Sequence, residues 1–264
     1  MNLAYHLAQF GWQSWPLSAV GKDQLGDELL ERLKHWGVNT GYINTLENYS
    51  TGLVKVALKD GIPSYNIIED VAWDHIHVPE DLHQSGSAVS AVIFGSLSQR
   101  SSDNQKSLSR ILELCPNALK IFDVNLRPPY VDTDIILKLA AKSDLLKVND
   151  EEIAELLNRP TSTKELESAA RSLAQETGCK MICVTAGAEG AGLLKDGEWH
   201  WVSAEPIEVK DTIGAGDSFL SAVVDGLLEG KKTPNEILRS ATRLAGFVAS
   251  RSGATPAYTL DILN

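Results

Sequence analysis

Cysteine, long apolar runs and positive charge are all scarce in this sequence, and each scarcity excludes a class of protein. The three cysteines, Cys115, Cys179 and Cys183, lie in or near apolar segments and form neither a disulfide framework nor a zinc-binding spacing. No stretch approaches the ~18 consecutive apolar residues of a membrane-spanning helix, and the N-terminus lacks the basic-then-apolar order of a signal peptide. We therefore expect reduced, buried thiols in a cytoplasmic protein.

The charge balance is acidic. The sequence has 24 Lys and Arg residues against 35 Asp and Glu residues, which gives a formal net charge of −11. Such a chain needs a concentrated basic patch to hold nucleic acid or an anionic membrane, and the sequence contains no such patch. We expect neither partner, and we leave a homodimer open.

What the sequence does contain is a regular alternation of short apolar runs and helix-period segments. Its 264 residues, 43% of them hydrophobic, correspond to one large domain or two small ones. Alternating strands and helices favour parallel strands with crossover helices, hence a three-layer α/β/α sandwich with a mostly parallel sheet. The predicted strands are Trp15–Val20, Ala91–Phe94, Lys120–Val124, Leu145–Val148, Met181–Val184 and Ile207–Val209. The predicted helices are Gln24–Trp36, Asn104–Leu114, Thr133–Ala141, Asp150–Leu157, Thr163–Thr177, Gly216–Leu228 and Asn235–Arg251.

One segment breaks the alternation. Thr51–Lys59 and Ile62–Ile68 are typical of two strands joined by a turn at Asp60-Gly61. Because an isolated hairpin is marginal in water, this one must pack on something. Two interpretations remain open: an antiparallel edge of the main sheet, or a small β lid over a ligand site at about residues 51–68.

The segment Asp211–Phe219 carries the strongest chemical signal. Apolar residues from Phe219 onward recur at helical spacing, so the glycines at 214 and 216 open a helix. Free amides in the first turn, together with the positive end of the helix dipole, form an anion hole. A carboxylate at Asp217 would not help to bind phosphate, but it could accept the proton of a hydroxyl that attacks phosphate.

Local spacing alone leaves a structural alternative equally open. Asp217 can simply complement the helix dipole while the glycines form a tight turn. A dinucleotide fingerprint is less favoured, because Phe219 stands where its third small residue belongs and the segment lies in the last quarter of the chain. The sequence contains no Walker P-loop.

Taken together, the motifs resemble the ribokinase (PfkB-type) family of carbohydrate kinases, along nearly the whole chain. Asp211–Phe219 resembles the C-terminal signature of that family, and Thr51-Gly52 with the following hairpin resembles its lid. The other matching segments are Val20–Gly26, Phe94–Leu97, Phe122–Pro128, Lys147–Glu152 and Thr185–Gly190, of which the second and third resemble the fructokinase branch. The resemblance implies an ATP-dependent, Mg²⁺-assisted kinase whose other substrate is a small sugar.

The resemblance also implies roles for individual residues. Asp217 would take the proton from the sugar hydroxyl, while the amides of Gly214, Ala215 and Gly216 hold the transferred phosphate. The implied sugar contacts are Asn2, Gly95, Asn125, Arg127 and Asp217. The implied nucleotide contacts are Asn149, Glu152, Thr185, Gly187, Gly190, Thr212 and Thr242. Asn149 and Glu152 would organise Mg²⁺ and phosphate through water, and Asp211 with the Ile213 carbonyl would serve a monovalent cation such as K⁺.

Several of these residues have ordinary structural alternatives. Asn149 followed by Glu152 is also the pattern of a helix capping box, and both interpretations can hold at once. Thr185, Gly187 and Gly190 can form an ordinary turn after a buried strand. Arg127 can form a surface ion pair.

The resemblance begins late. Members of the family usually start with a core strand that bears a sugar-binding Asp and a Gly-Gly loop, whereas Asn2–Ala8 resembles only the end of that loop and its helix. A missing core strand would leave backbone groups unpaired and apolar faces uncovered. We therefore keep four functions open: a fructokinase-like kinase, a 2-keto-3-deoxygluconate kinase, a catalytically silent sugar- or nucleotide-binding protein, and an assembly subunit.

Overall fold

The computed structural model describes residues 1–59 and 62–263. The turn predicted at Asp60-Gly61 lies outside these residues. The helices are α1 (Asn2–Gln9), α2 (Gln24–His35), α3 (Leu82–Ser85), α4 (Ser102–Leu114), α5 (Thr133–Ala140), α6 (Asp150–Leu156), α7 (Leu166–Thr177), α8 (Ala215–Glu229) and α9 (Pro234–Ala249). The strands are β1 (Ser18–Gly21), β2 (Ile43–Leu46), β3 (Val54–Lys59), β4 (Ile62–Ile67), β5 (Ala91–Gly95), β6 (Leu119–Asp123), β7 (Leu145–Asn149), β8 (Met181–Thr185), β9 (Ala191–Lys195) and β10 (Glu198–Val202).

The main sheet has the strand order β10-β9-β8-β7-β6-β5. Strands β5 to β8 run parallel, and β9 and β10 add an antiparallel edge. The central strands are apolar on both faces because helices cover both: Leu146 packs with the layer of α4 to α7, and Leu145 packs with the layer of α1, α8 and α9. The predicted three-layer sandwich is confirmed.

Among the described residues, no helix combines the length and apolarity that crossing a bilayer requires.

Strands β1 and β2 pair in parallel as a separate two-stranded sheet. Helix α1 joins this sheet to the main one, because Ala4 packs with Val20 of β1 while Leu7 packs in the core of α8 and α9. In the main sheet, residues 91–93 of the edge strand β5 are half-buried. The missing core strand stays a prediction.

The hairpin of β3 and β4 pairs antiparallel, with Val54 opposite Ile67. Within residues 1–59 and 62–263, it forms its own sheet and pairs with no strand of the main one. The interpretation of this hairpin as an edge of the main sheet is therefore wrong. Its function as a lid stays a prediction.

One predicted strand does not form. Ile207–Val209 lies in irregular backbone, and the side chains of Ile207 and Val209 are exposed by 42% and 58%. This edge of the sheet is formed instead by β9 and β10, which the sequence analysis did not predict. After residue 209 the chain is held by the backbone of α9, where the Lys210 amide donates to the Ala249 carbonyl.

Asp23 caps the N-terminus of α2 and also connects this helix to the start of the hairpin segment. Its carboxylate accepts hydrogen bonds from the Gly26 amide at 2.9 Å, the Thr51 amide at 2.8 Å and the Thr51 hydroxyl at 2.7 Å. Donation from the Thr51 amide is the largest of the causes that hold the pKa of Asp23 below its ordinary value of 3.8. The charged form is therefore favoured by folding.

We expect Asp23→Ala to lower the free energy of unfolding at pH 7 by about 1–2 kcal/mol, because the helix cap and the Thr51 bonds are lost together. The depressed pKa makes the contribution of Asp23 complete above about pH 4 and smaller as pH falls through the folded-state pKa. Urea unfolding of both proteins from pH 7 downward should show the difference shrinking in acid. Asp27→Ala, one turn along the same helix and exposed, is the control and should change stability by less than about 0.5 kcal/mol. An equal effect of both variants would contradict this role of Asp23.

Candidate active site

The site lies where the carboxyl ends of the parallel strands meet the N-terminus of α8. The strand register places Gly95 beside Asp123, Asp123 beside Lys147, and Asn149 beside Thr185. These strand ends are therefore level with one another, at the edge where open α/β sheets bind ligands. The topology thus brings together the predicted residues from four separate strand ends.

The glycine turn before α8 has the geometry of an anion site. Gly214 has a φ of +82°, and a Cβ there would lie 2.7 Å from Cα of Ala254, so that only glycine fits. Helix α8 begins at Ala215, one residue before the predicted start. The Ala215 amide donates to the Thr212 carbonyl at 3.2 Å, whereas the hydrogen bonds of the described residues give no acceptor to the amides of Gly214 and Gly216. Two of the three predicted amides are thus available to a ligand, and use of the third requires that bond to open.

Asp217 lies in the first turn of α8 and is half-buried. Its Oδ2 accepts a hydrogen bond of 2.8 Å from Nδ2 of Asn2, at the start of α1. The contact joins the predicted base to a predicted sugar residue 215 positions away in the sequence. The carboxylate therefore lies beside the open amides, oriented by a side-chain amide.

Asp211 braces the loop on the other side of the turn. Its Oδ1 accepts from the Ile213 amide at 3.0 Å and its Oδ2 accepts from the Gly253 amide at 3.1 Å. Thr212 between them is exposed. These bonds fix the loop that leads into Gly214. Among residues 1–59 and 62–263, no three potential metal ligands cluster, and the monovalent-cation site at Asp211 and Ile213 stays a prediction.

Asn149 and Glu152 form the capping box that the sequence allowed. The Glu152 amide donates to Oδ1 of Asn149 at 2.7 Å, and the Asn149 amide donates to Oε2 of Glu152 at 2.8 Å. Oε1 of Glu152, which is 5% exposed, also accepts from the Leu126 amide at 2.9 Å. Glu152 thus connects the start of α6 to the loop after β6. Its role toward Mg²⁺ stays a prediction.

The loop after β6 carries the predicted sugar residues Asn125 and Arg127. Asn125 adopts a left-handed backbone with a φ of +44°, and its carbonyl lies 3.5 Å from the Ser96 hydroxyl. Arg127 is exposed, and its Nη1 donates to the Leu126 carbonyl at 2.9 Å. No carboxylate among the described residues pairs with Arg127, so the predicted alternative of a surface ion pair is not realised there.

The other predicted nucleotide residues, Thr185, Gly187, Gly190 and Thr242, occupy two places. Thr185 ends β8, and Gly187 and Gly190 follow it in a turn with φ values of +49° and +134°. The Ala186 amide closes that turn on the Gly190 carbonyl at 2.9 Å. Thr242 lies on α9, where its hydroxyl donates to the Leu238 carbonyl of the same helix at 2.9 Å. Contacts of all four residues with a nucleotide stay predictions.

Arg100, which the sequence analysis missed, anchors the end of the hairpin. Its guanidinium lies between the rings of Trp73 and Tyr130, with centroids 4.2 and 4.7 Å away. It pairs with the buried Asp74 at 2.8 Å and donates to the Ile68 carbonyl at 2.7 Å. Arg100 and the two aromatic residues lie far apart in the sequence, so no local sequence pattern predicts this cluster and only the fold shows it.

We expect Arg100→Met to lower the free energy of unfolding by about 3–5 kcal/mol, because it leaves the buried Asp74 carboxylate without its cation. Urea denaturation at neutral pH measures the change. The control is Arg110→Met, which removes an exposed ion pair with Glu113 and should cost less than about 1 kcal/mol. Similar losses in both variants would show that the cluster does not carry this energy.

Lys147 is the second residue that the sequence analysis missed. It lies in the middle of a predicted buried strand, where a lysine is rare unless it is paired. Its Nζ lies 3.0 Å from Oδ1 of Asp123, and both side chains are nearly inaccessible to solvent. That polar interruption of an apolar strand was the available signal.

Comparison with known proteins agrees with this geometry. The family model described as pfkB family carbohydrate kinase matches residues 1–260. A fructokinase of Rhizobium leguminosarum bv. trifolii is 28% identical over 268 residues, which cover 97% of this chain and 77% of that protein. The structure of an uncharacterised sugar kinase from Pyrococcus horikoshii in complex with ATP has a TM-score of 0.81 at 25% identity and covers 98% of this chain and 84% of that one. A fructokinase structure from Xylella fastidiosa with bound ATP has a TM-score of 0.84 at 21% identity, covering 99% and 87% of the two chains.

Proposed function

Because the chain belongs to the pfkB family of carbohydrate kinases and is a sugar kinase, we propose that it transfers the terminal phosphoryl group of ATP to a hydroxyl of a small sugar, with fructose as the first candidate. The observation that carries the proposal is the position of Asp217, beside the open amides of Gly214 and Gly216 and in contact with Asn2. The ATP complex of the Pyrococcus sugar kinase supports the choice of nucleotide.

The proposed reaction is an in-line displacement. The sugar oxygen forms a bond to the terminal phosphorus while the bond from that phosphorus to the ADP oxygen breaks, and Asp217 accepts the hydroxyl proton. Because the transition state of phosphoryl transfer is loose, positioning and charge stabilisation supply most of the rate enhancement. The amides at the N-terminus of α8 meet the negative charge on the phosphoryl oxygens, helped by the helix dipole.

The residues at this edge suit Mg²⁺, which prefers oxygen ligands and keeps several of its waters. Glu152 and Asp217 supply carboxylates here, and Glu152 would hold the ion through water, since its oxygens already accept backbone amides. When bound, Mg²⁺ would neutralise phosphate charge. The hairpin of residues 51–68 would close over the sugar and exclude water, which otherwise competes as acceptor.

A second candidate substrate is 2-keto-3-deoxygluconate, and the observation that favours it is Arg127. This exposed guanidinium has no carboxylate partner among the described residues, and a sugar acid offers one in the bidentate geometry that arginine prefers. Fructose has no carboxylate and would use Arg127 only as a hydrogen-bond donor.

The test is ADP formation from Mg-ATP over a panel containing fructose, ribose, other hexoses and 2-keto-3-deoxygluconate. We expect turnover that requires one of these sugars, with fructose favoured. If 2-keto-3-deoxygluconate is the only compound of the panel that is phosphorylated, and Arg127→Ala abolishes this turnover, the second candidate is the substrate. Binding of ATP or sugar without product from any of them would overturn the kinase proposal in favour of a silent binding protein.

A further inference from the structure

Lys147 and Asp123 form a buried ion pair directly beneath the anion-binding turn. They are register partners on β7 and β6, with Nζ and Oδ1 3.0 Å apart. Strand alternation directs Lys147 to the same face as Leu145, which packs with Phe219 and Leu220 of α8. A Cβ placed on Gly216 would lie 3.5 Å from the Lys147 ammonium. The ammonium therefore lies against the first turn of α8.

A charged lysine is energetically unfavourable at this position. Burial of a cation costs several kcal/mol by general estimates, and the positive end of the α8 dipole disfavours a second positive charge nearby. An ammonium group has three protons to donate, but the hydrogen bonds of the described residues give it one acceptor, Oδ1 of Asp123. Support of the sheet alone does not require a cation at this point.

The positive charge of Lys147 offsets the negative charges of the carboxylates around it. The Asp123 carboxylate contacts the Lys147 ammonium, and the carboxylates of Glu152 and Asp217 lie near this pair. The Asp123 carboxylate, also buried and 3.0 Å from Nζ, pairs with the charged ammonium. Without this cation, three carboxylates would repel a phosphate that approaches the open amides.

We propose that Lys147, held by Asp123, is a positioning residue for phosphoryl transfer. It supports the Gly214–Gly216 turn from below and offsets the negative charge around Asp217, so that the turn accepts the terminal phosphate of ATP. This inference rests on the proposed function, because it assigns a ligand to the same turn. The proposed role of Lys147 favours ATP over ADP, because ADP lacks the terminal phosphate that the Gly214–Gly216 turn would bind.

The test uses the double variant Lys147→Met/Asp123→Leu in the full chain. An apolar pair of similar size commonly replaces a buried ion pair without loss of stability, and urea unfolding checks that it does so here. Calorimetric titration with Mg-ATP and Mg-ADP then gives two affinities. We expect the double variant to lose at least tenfold of the preference for ATP over ADP that the wild type shows, and we expect its kcat to fall as well. Lys147→Arg keeps the positive charge and should retain most of the ATP preference and most of the kcat.

The outcomes separate this inference from the proposed function. A wild type that prefers ATP but phosphorylates no sugar would overturn the sugar kinase proposal and still allow the titrations to test Lys147. If the double variant is stable and keeps the ATP preference of the wild type, the Lys147–Asp123 pair only supports the sheet. A wild type that does not prefer ATP over ADP would also overturn the proposed role of Lys147. If the double variant does not fold, Lys147→Gln replaces it, because its amide can still donate to Asp123 without a positive charge.

Discussion

Asp217→Asn is expected to lower kcat for sugar phosphorylation by about 10²–10⁴-fold, the usual contribution of a positioned acid or base. The amide side chain keeps the shape of the carboxylate and can still accept the hydrogen bond from Asn2, which is 2.8 Å long in the wild type. It cannot take a proton from the sugar hydroxyl. The affinity for Mg-ATP should change much less than kcat, since the amides of Gly214 and Gly216 remain in place. Steady-state kinetics of both proteins with saturating sugar, combined with titration of Mg-ATP, measure the two effects.

Glu229→Gln is the matched control for this variant. It makes the same change from carboxylate to amide at the far end of the same helix, where Glu229 pairs with Lys232 at the surface. We expect kcat within about twofold of the wild type, because exposed ion pairs contribute little. If Asp217→Asn kept more than a tenth of the wild-type kcat, Asp217 would not be the base, and sugar-independent ATP hydrolysis that survived the change would point to the same conclusion.

Gly214→Ala is the second substitution with a large expected effect. Two penalties coincide at this position: a φ of +82°, which disfavours any side chain, and a Cβ that would lie 2.7 Å from the backbone Cα of Ala254. The backbone penalty is about 1 kcal/mol, and the clash adds about 1–3 kcal/mol because the C-terminal segment must move. Since a displacement of 1 Å can cost about 10²-fold in rate, we expect kcat to fall by at least that factor.

Gly230→Ala separates the two penalties. Gly230 ends α8 with a φ of +65°, and a Cβ there has no heavy atom within 4 Å. This variant should therefore show the backbone penalty alone and keep its activity. Urea unfolding and sugar-dependent ADP formation compare the two alanine variants. Equal losses of stability with normal activity in both would mean that the close approach at Ala254 does not shape the site.

The turn at Gly214 was predictable because local sequence determines it. The small residues and the carboxylate of the first turn lie within Asp211–Phe219, and the helical period starts at Phe219 and continues after it. Helix α8 begins one residue from the predicted start. The helix cap at Asp23 was predictable for the same reason. Its second role, acceptance of hydrogen bonds from Thr51, joins segments 28 residues apart, and no local pattern indicates it.

The strands show where such patterns fail. Ile207–Val209 has the composition of a strand, yet within the described residues it pairs with no other strand, and the chain that follows bonds to α9 through the Lys210 amide instead. Strand β9 was missed because Gly192 interrupts its apolar run, whereas β10 was missed although Trp199 and Trp201 alternate with polar residues. Pairing between strands depends on tertiary contacts, which a single sequence does not display.

Within the site, the sequence predicted residues but not their partners. Asn2 was predicted from the resemblance, whereas its hydrogen bond to Asp217 depends on α1 packing beside α8. The Ala215 amide was predicted to be open, and the structure has it bonded to the Thr212 carbonyl. Lys147 was missed because only the register of β6 and β7 places it opposite Asp123 and beneath Gly216.

The most direct test of the account is a crystal structure of the protein with Mg²⁺, a non-hydrolysable ATP analogue and the sugar that supports turnover. The account predicts that the terminal phosphate accepts hydrogen bonds from the amides of Gly214 and Gly216. It also predicts that the reacting hydroxyl lies within about 2.6–3.2 Å of the Asp217 carboxylate. A terminal phosphate bound away from the N-terminus of α8, or a sugar hydroxyl held by another base, would contradict it.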